Sequence, residues 1–204
     1  MRISTPEFIA LMAMLVATVA ISIDAMLPAL PDIAAQLTPE RPNNVQLILS
    51  TFIIGMSAGT LIAGPLSDSF GRKTVIYWGA GLYILASIIC IFASNLETMI
   101  IARLCQGFGA AAPRVVSQAL IRDLYSGRQM ARISSFVMII FSIVPALAPL
   151  LGAGLISIFA WQSIFVIFIV FSALSTTWTG LRIQEPLAPE QRIPFRRKAF
   201  QTAL

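Results

Sequence analysis

Three charged residues, Asp24, Arg103 and Arg114, stand inside long apolar stretches of a 204-residue chain. Each costs about 2.5–3.5 kcal/mol near the centre of a membrane-spanning helix, and residues so placed usually face a bundle interior and mark a substrate or proton path. Asp24 is the only acidic residue within such a stretch. A carboxylate between apolar surroundings and a nearby arginine is pulled towards its neutral form by the first and its charged form by the second. A group held in that balance can take up and release a proton as helices move. The chain has no histidine, so proton chemistry must rest on carboxylates. Cys90 and Cys105 both fall within apolar stretches, so neither a disulfide nor a metal site is expected, and no cofactor is implied.

The elements that must position these residues follow from composition. The chain is 57% hydrophobic and 11% charged, against about 25% charged in an ordinary soluble domain. The apolar residues come in six runs, 8–30, 45–66, 74–93, 98–120, 133–158 and 162–181. Each is long enough to cross roughly 30 Å of hydrocarbon. The expected fold class is therefore an all-α membrane protein with a six-helix bundle over residues 1–181. Residues 182–204 form a basic tail. The longer gaps are Pro31–Asn44 and Ile121–Arg132. Arg2 followed by an apolar run resembles a signal peptide. Five more spans follow and the run ends at IDAMLPALP without a clean cleavage site, so an uncleaved first helix is expected.

Lys and Arg in the gaps set the orientation. With the N-terminus cytoplasmic, the inner side holds Arg2, Arg72, Lys73, Arg122, Arg128, Arg132, Arg182 and the tail cluster, and the outer side holds Arg41 alone. Both termini are then cytoplasmic. The net charge of +5 is explained by loops on an anionic leaflet, where Arg196–Lys198 would rest on headgroups. No nucleic-acid partner is called for.

Depth brings two of the buried charges together. Asp24 lies six residues before Leu30 and Arg103 five residues after Thr98, so both sit about 7–9 Å below the outer surface. An ion pair between them is geometrically possible. On the fourth span Arg103, Gln106, Gly107, Ala110, Arg114, Ser117 and Gln118 share one face. A static pair that fixes helix register is one reading of Asp24 and Arg103. The continued stripe favours a water-filled path, with Arg114 either lining its inner mouth or snorkelling.

Between the second and third spans the chain reads GPLSDSFGRKT, two glycines and a proline in a tight, basic turn. This stretch resembles the G-x-L-x-D-x-x-G-R-[KR] signature of the major facilitator superfamily, matched at Gly64, Leu66, Asp68, Gly71, Arg72 and Lys73. ARLCQGFGAAA at 102–112 is similar to that family's fourth-helix R-x-x-Q-G-x-G-A-A motif. IDAMLPALPDIAAQL resembles the first-helix signature of its drug/proton antiporter branch, of the bicyclomycin-resistance type. RDLY and WQSIF fit the same branch. VPALAPLLGA keeps Pro149 and Gly152 of the fifth-helix antiporter motif but has Val144, Ala148 and Ala153 where glycines are usual.

The resemblance implies two six-helix halves, each of 3+3 inverted repeats, with substrate between them. It covers the N-terminal half only. It implies a proton-coupled exporter of drugs or similar small molecules in the inner membrane, with Asp24 carrying the proton, Arg103 tuning it and Gln106 lining the cavity. It also implies that Arg72 pairs with Asp123, and that Asp68 engages a helix of the other half, as a latch on the cytoplasmic mouth. A basic loop that only sets topology is the plainer alternative. The partner half would come from the same gene, a separate subunit or a second copy. A non-transporting half-carrier is the competing function. An enzyme is not expected, because no clustered carboxylates, metal ligands or nucleophile elbow occur.

Overall fold

The structure, a computed structural model, describes residues 3–187, Glu190 and Arg192. The Arg196–Lys198 cluster and most of the 182–204 tail lie outside the described residues. Helix α1 spans Thr5–Asp24. The Ser4 hydroxyl accepts from the Glu7 amide (3.4 Å), and a proline sits in the first turn, where no N–H is needed. The helix stops at Asp24 because Pro28 has no N–H to return to that carbonyl. A short 3-10 turn, Leu27–Ala29, then leads into α2, Leu30–Leu37. The first span is therefore a broken helix rather than the continuous one expected over 8–30, and much of the gap expected at Pro31–Asn44 is helical.

Helix α3 covers Leu47–Phe70 and α4 covers Arg72–Ile91. The turn expected over GPLSDSFGRKT shrinks to one residue, Gly71, whose φ of 98° favours glycine. Helix α5 runs from Leu96 to Leu124, capped by the Asn95 side chain, which accepts from the Thr98 amide at 2.8 Å. Helix α6 covers Gly127–Ile156, so the gap expected at Ile121–Arg132 is only Tyr125 and Ser126 between helices. Helix α7 covers Ser163–Arg182.

Among the described residues, five segments are long and apolar enough to cross a membrane, counting Thr5–Leu37 as one. The 29-residue α5 is not among them, although about half of its residues are buried by the helices around it. It packs along α3 and α4 and also against α1. Its polar residues therefore meet other helices rather than lipid, the setting in which such residues are tolerated.

The pairing pattern has internal symmetry. Helix α3 packs on α5 as α6 packs on α1. Helix α4 packs on α5 as α7 packs on α1, and α4 touches α7 while α1 touches α5. Exchanging the first three spans for the last three maps this pattern onto itself, as an inverted repeat requires. Helices α1 and α5 form the centre, and α3 and α6 stand on its two flanks.

The flanking contact is tight because both partners are glycine. A Cβ at Gly55 would overlap the Leu104 carbonyl, and one at Gly107 would overlap the Phe52 carbonyl. Small residues that let backbones touch replace the hydrophobic drive that lipid removes. Gly107→Ala should destabilise the bundle by about 1–3 kcal/mol. Gly81→Ala, where a Cβ meets nothing within 4 Å, should be neutral or stabilising by up to about 1 kcal/mol. Unfolding of both variants in detergent checks the contrast.

Candidate functional site

Arg103 is fully buried and ties three spans together. Its Nε donates to the Ile48 carbonyl of α3 at 3.3 Å, and Nη1 donates to Gln106 Oε1 at 2.5 Å. Its Nη2 donates to the Ser22 carbonyl of α1 at 3.0 Å. The guanidinium carbon lies 4.3 Å from the centre of the Phe52 ring, a cation–π contact. Ser22 lies in the last turn of α1, where carbonyls lose their helical partners. Arg103 takes up one that the break has released.

The network continues into α4. Gln106 Nε2 donates to Ser87 Oγ (2.6 Å), and Ser87 Oγ donates to the Tyr83 carbonyl (2.7 Å). The Tyr83 hydroxyl shares a 2.5 Å hydrogen bond with Ser22 Oγ, which also reaches the Thr18 carbonyl at 2.6 Å. Ser22, Tyr83 and Ser87 are fully or almost fully buried. Sequence reading missed all three. A serine or tyrosine in a span carries no charge to single it out.

The ion pair that depth made possible between Asp24 and Arg103 is absent among the described residues. The two residues share a depth, but the guanidinium is spent on carbonyls, Gln106 and a ring. Asp24 is half-buried and has no hydrogen bond or ion pair among the described residues. On its face of α1, Ala10, Met14 and Ile21 are also incompletely buried, but Ala17 and Ala20 between them are buried.

The stripe on α5 is not one continuous open face. Arg103, Gln106, Gly107, Ala110 and Ser117 are buried, and only Arg114 and Gln118 are partly exposed. Arg114 Nη1 lies 3.5 Å from the Met56 sulfur. Ser117 turns back to the Arg114 carbonyl at 2.7 Å, and Gln118 Nε2 is buried without a partner. The reason is the central place of α5, which leaves it no wide free side.

At the other end of α5, Arg72 joins three helices. Its Nη1 reaches Asp68 Oδ1 (2.5 Å) and Ser67 Oγ (2.6 Å) on α3. Its Nε reaches Asp123 Oδ2 on α5 at 2.8 Å. Asp68 remains 43% exposed while the Arg72 side chain is 9% exposed, so the aspartate keeps room for another partner. Lys73 Nζ donates to the Gly180 carbonyl on α7 at 2.8 Å. Gly64 lies on α3, one turn before Asp68.

Glu185, also missed by the sequence reading, completes this corner. Its two oxygens accept from the Arg72 and Lys73 amides, each at 2.9 Å, capping the first turn of α4. A side chain at Gly71 would come within 3.1 Å of Glu185 Oε2. A single glutamate three residues past a helix has no periodic signal, and its role emerges only when α7 lies beside α4. Nearby, Arg182 grips Glu7 through Nε (2.5 Å) and Nη2 (2.7 Å), joining α7 to α1. On α6, Gly152 lies where a Cβ would overlap the Ala25 carbonyl just past the break in α1, and Pro149 is one turn away.

The family model described as Major Facilitator Superfamily matches residues 10–203. The chain belongs to the major facilitator superfamily. Members of that superfamily are transporters, not enzymes, and the long apolar helices mark this chain as a multi-pass membrane protein. It is 36% identical over 186 residues to the MFS-type transporter YdgK of Bacillus subtilis, covering 90% of this chain and 46% of that protein. It is 34% identical over 174 residues to a bicyclomycin resistance protein homolog of Haemophilus influenzae, covering 85% and 44%. It is 38% identical over 143 residues to the multidrug resistance protein MdtL of Escherichia coli, covering 70% and 36%. The chain spans about half the length of the curated relatives it matches, or less. Among solved structures, a D-xylose–proton symporter superposes with a TM-score of 0.75 at 15% identity, over 98% of this chain and 53% of the symporter. The human organic anion transporter MFSD10 gives 0.74 at 17% identity, over 95% and 51%. These two establish the fold, an N-terminal half of the major facilitator architecture.

Loss of the Glu185 cap gives a local readout. Caps of this kind contribute about 1 kcal/mol, so Glu185→Ala should speed amide exchange at Arg72 and Lys73 about fivefold and leave the Arg103 region unchanged. Residue-resolved hydrogen exchange checks both statements.

Proposed function

We propose that this chain is the N-terminal half of a proton-coupled antiporter that exports drugs or similar small molecules, with Asp24 as the proton carrier. The observation that carries the reading is the state of Asp24. It is the only acidic residue within an apolar span, it is partly exposed at the end of α1, and no described residue pairs with its side chain. Arg103 and Gln106 hold the broken end of α1 beneath it. Arg114, Ser117 and Gln118 continue towards the inner mouth. Proton and substrate couple when the occupancy of Asp24 changes the relative stability of the inward- and outward-facing states.

A second six-helix half, from the same gene, a separate subunit or a second copy, completes the cavity. Two features support such a partner. The flanking spans are the least buried, at 28% for α3 and 17% for α6, against 67% for the first span. Helix α6 has two unlike exposed sides: Ser135, Ser142, Ala146 and Ala153 on one, and Phe136, Ile140, Ile143, Leu147 and Leu150 on the other. The large residues suit lipid, and the small ones suit a helix at close range. Gly64 points the same way. A Cβ there would meet nothing within 4 Å, so this turn of α3 has room for a closely approaching partner.

In this reading Gly64, Asp68, Gly71, Arg72, Lys73 and Asp123 form the latch on the cytoplasmic mouth, and the free side of Asp68 meets the other half. Pro149 and Gly152 form the bend of α6 that rides on the break in α1. Both termini are cytoplasmic, and the protein lies in the inner membrane. The test is Asp24→Asn in a full-length protein carrying this half, assayed in everted vesicles. Proton-linked efflux should fall to background while insertion and expression stay normal. Unchanged efflux would overturn the assignment, and no efflux from the parent protein would favour the non-transporting half-carrier.

A further inference from the structure

A cavity of about 490 Å³ lies where the first turns of α1 and α6 splay apart, and the reading above gives it no role. Its volume is in the range of small-ligand sites. Its lining changes character with depth. Thr5 at the start of α1, and Tyr125 and Gln129 near the start of α6, supply hydroxyls and an amide at the end of the bundle. Ile9 and Phe136, one to two turns further in, are apolar.

Arg132 is the sole charge among the lining residues. Its guanidinium carbon lies 5.8 Å from the centre of the Phe136 ring, and among the described residues no carboxylate is within ion-pair distance of it. Its neighbours' carboxylates are already engaged. Glu7 is held by Arg182 and Trp178, and Asp123 by Arg72. An arginine with free donors, set above apolar walls and beside three neutral hydrogen-bonding groups, matches a ligand with an anionic head and an apolar tail.

We infer that this cavity binds an anionic phospholipid, its phosphate on Arg132 and its acyl chains along Ile9 and Phe136. Basic pockets between transmembrane helices on the cytoplasmic side recognise such headgroups. The inference rests on the proposed topology only for the choice of leaflet. Binding itself is independent of both the topology and the transport reading, so either can fail without the other.

The test uses the full chain, extracted from membranes and examined by native mass spectrometry with added phosphatidylglycerol or phosphatidylethanolamine. The chain should retain phosphatidylglycerol preferentially. Arg132→Gln should weaken that retention about fivefold and leave phosphatidylethanolamine unchanged. Arg128→Gln, which removes an equal charge from an exposed residue outside the cavity lining, should change it less than twofold. Ile9→Trp, which narrows the apolar part of the cavity and keeps the charge, should also reduce the preference. Equal losses from Arg132→Gln and Arg128→Gln would overturn the inference in favour of a diffuse basic surface. Displacement of the lipid by excess glycerol 3-phosphate would overturn it in favour of a site for a free phosphate, and a parent chain with no preference would overturn it outright.

Discussion

A guanidinium sealed among helices must place its N–H groups on acceptors, because lipid offers none and an unmet donor costs several kcal/mol. Arg103 meets this constraint without a carboxylate. Two backbone carbonyls, one amide oxygen and an aromatic face take its place. One of those carbonyls is available because α1 breaks after Asp24. The break, the burial of Arg103 and the close packing of α5 against α3 therefore depend on one another. If α1 were a continuous helix, its own amides would compete for that carbonyl. If Gly55 and Gly107 were larger, α3 would stand too far off for the Ile48 carbonyl to be reached.

The opposite end of the bundle is built differently. There the contacts are ion pairs: Arg72 with Asp68 and Asp123, and Arg182 with Glu7. They join α3, α4 and α5 on one side and α1 and α7 on the other, with Glu185 bridging back from the chain after α7 to α4. The bundle is thus bolted by neutral acceptors near one end and by partly solvated charges at the other. Partly exposed pairs are weaker and easier to exchange than a sealed network, as the proposed latch requires. The sealed network suits an end that keeps its register.

Much of the architecture was legible in the sequence, for identifiable reasons. Runs of about 20 apolar residues announce spans because the bilayer sets their length, and Gly64–Lys73 carries a motif whose residues keep their spacing. What escaped was azimuth and local chemistry. Asp24 and Arg103 share a depth, but rise per residue says nothing of the direction each side chain takes, and the pair that depth allows does not form. The break in α1 was signalled by Pro28 and Pro31, yet apolar residues on both sides masked it. The turn at Gly71 looked longer because Pro65 and Gly64 read as breakers, although α3 absorbs both. Helix α6 begins in a basic, polar stretch that hydropathy reads as a gap. Glu185, Ser22, Tyr83 and Ser87 act only through partners distant in the chain, so their local sequence is silent.

The central claim is that Arg103 is committed to the Gln106 network and leaves Asp24 free. A pair of double-mutant cycles on unfolding free energy tests it most directly. One cycle combines Asp24→Asn with Arg103→Gln, and the other Gln106→Leu with Arg103→Gln. The account predicts additivity within about 0.5 kcal/mol for the first cycle and a coupling above about 1 kcal/mol for the second. A coupling of about 1 kcal/mol or more between Asp24 and Arg103, with Gln106 additive, would contradict it and restore the static ion pair.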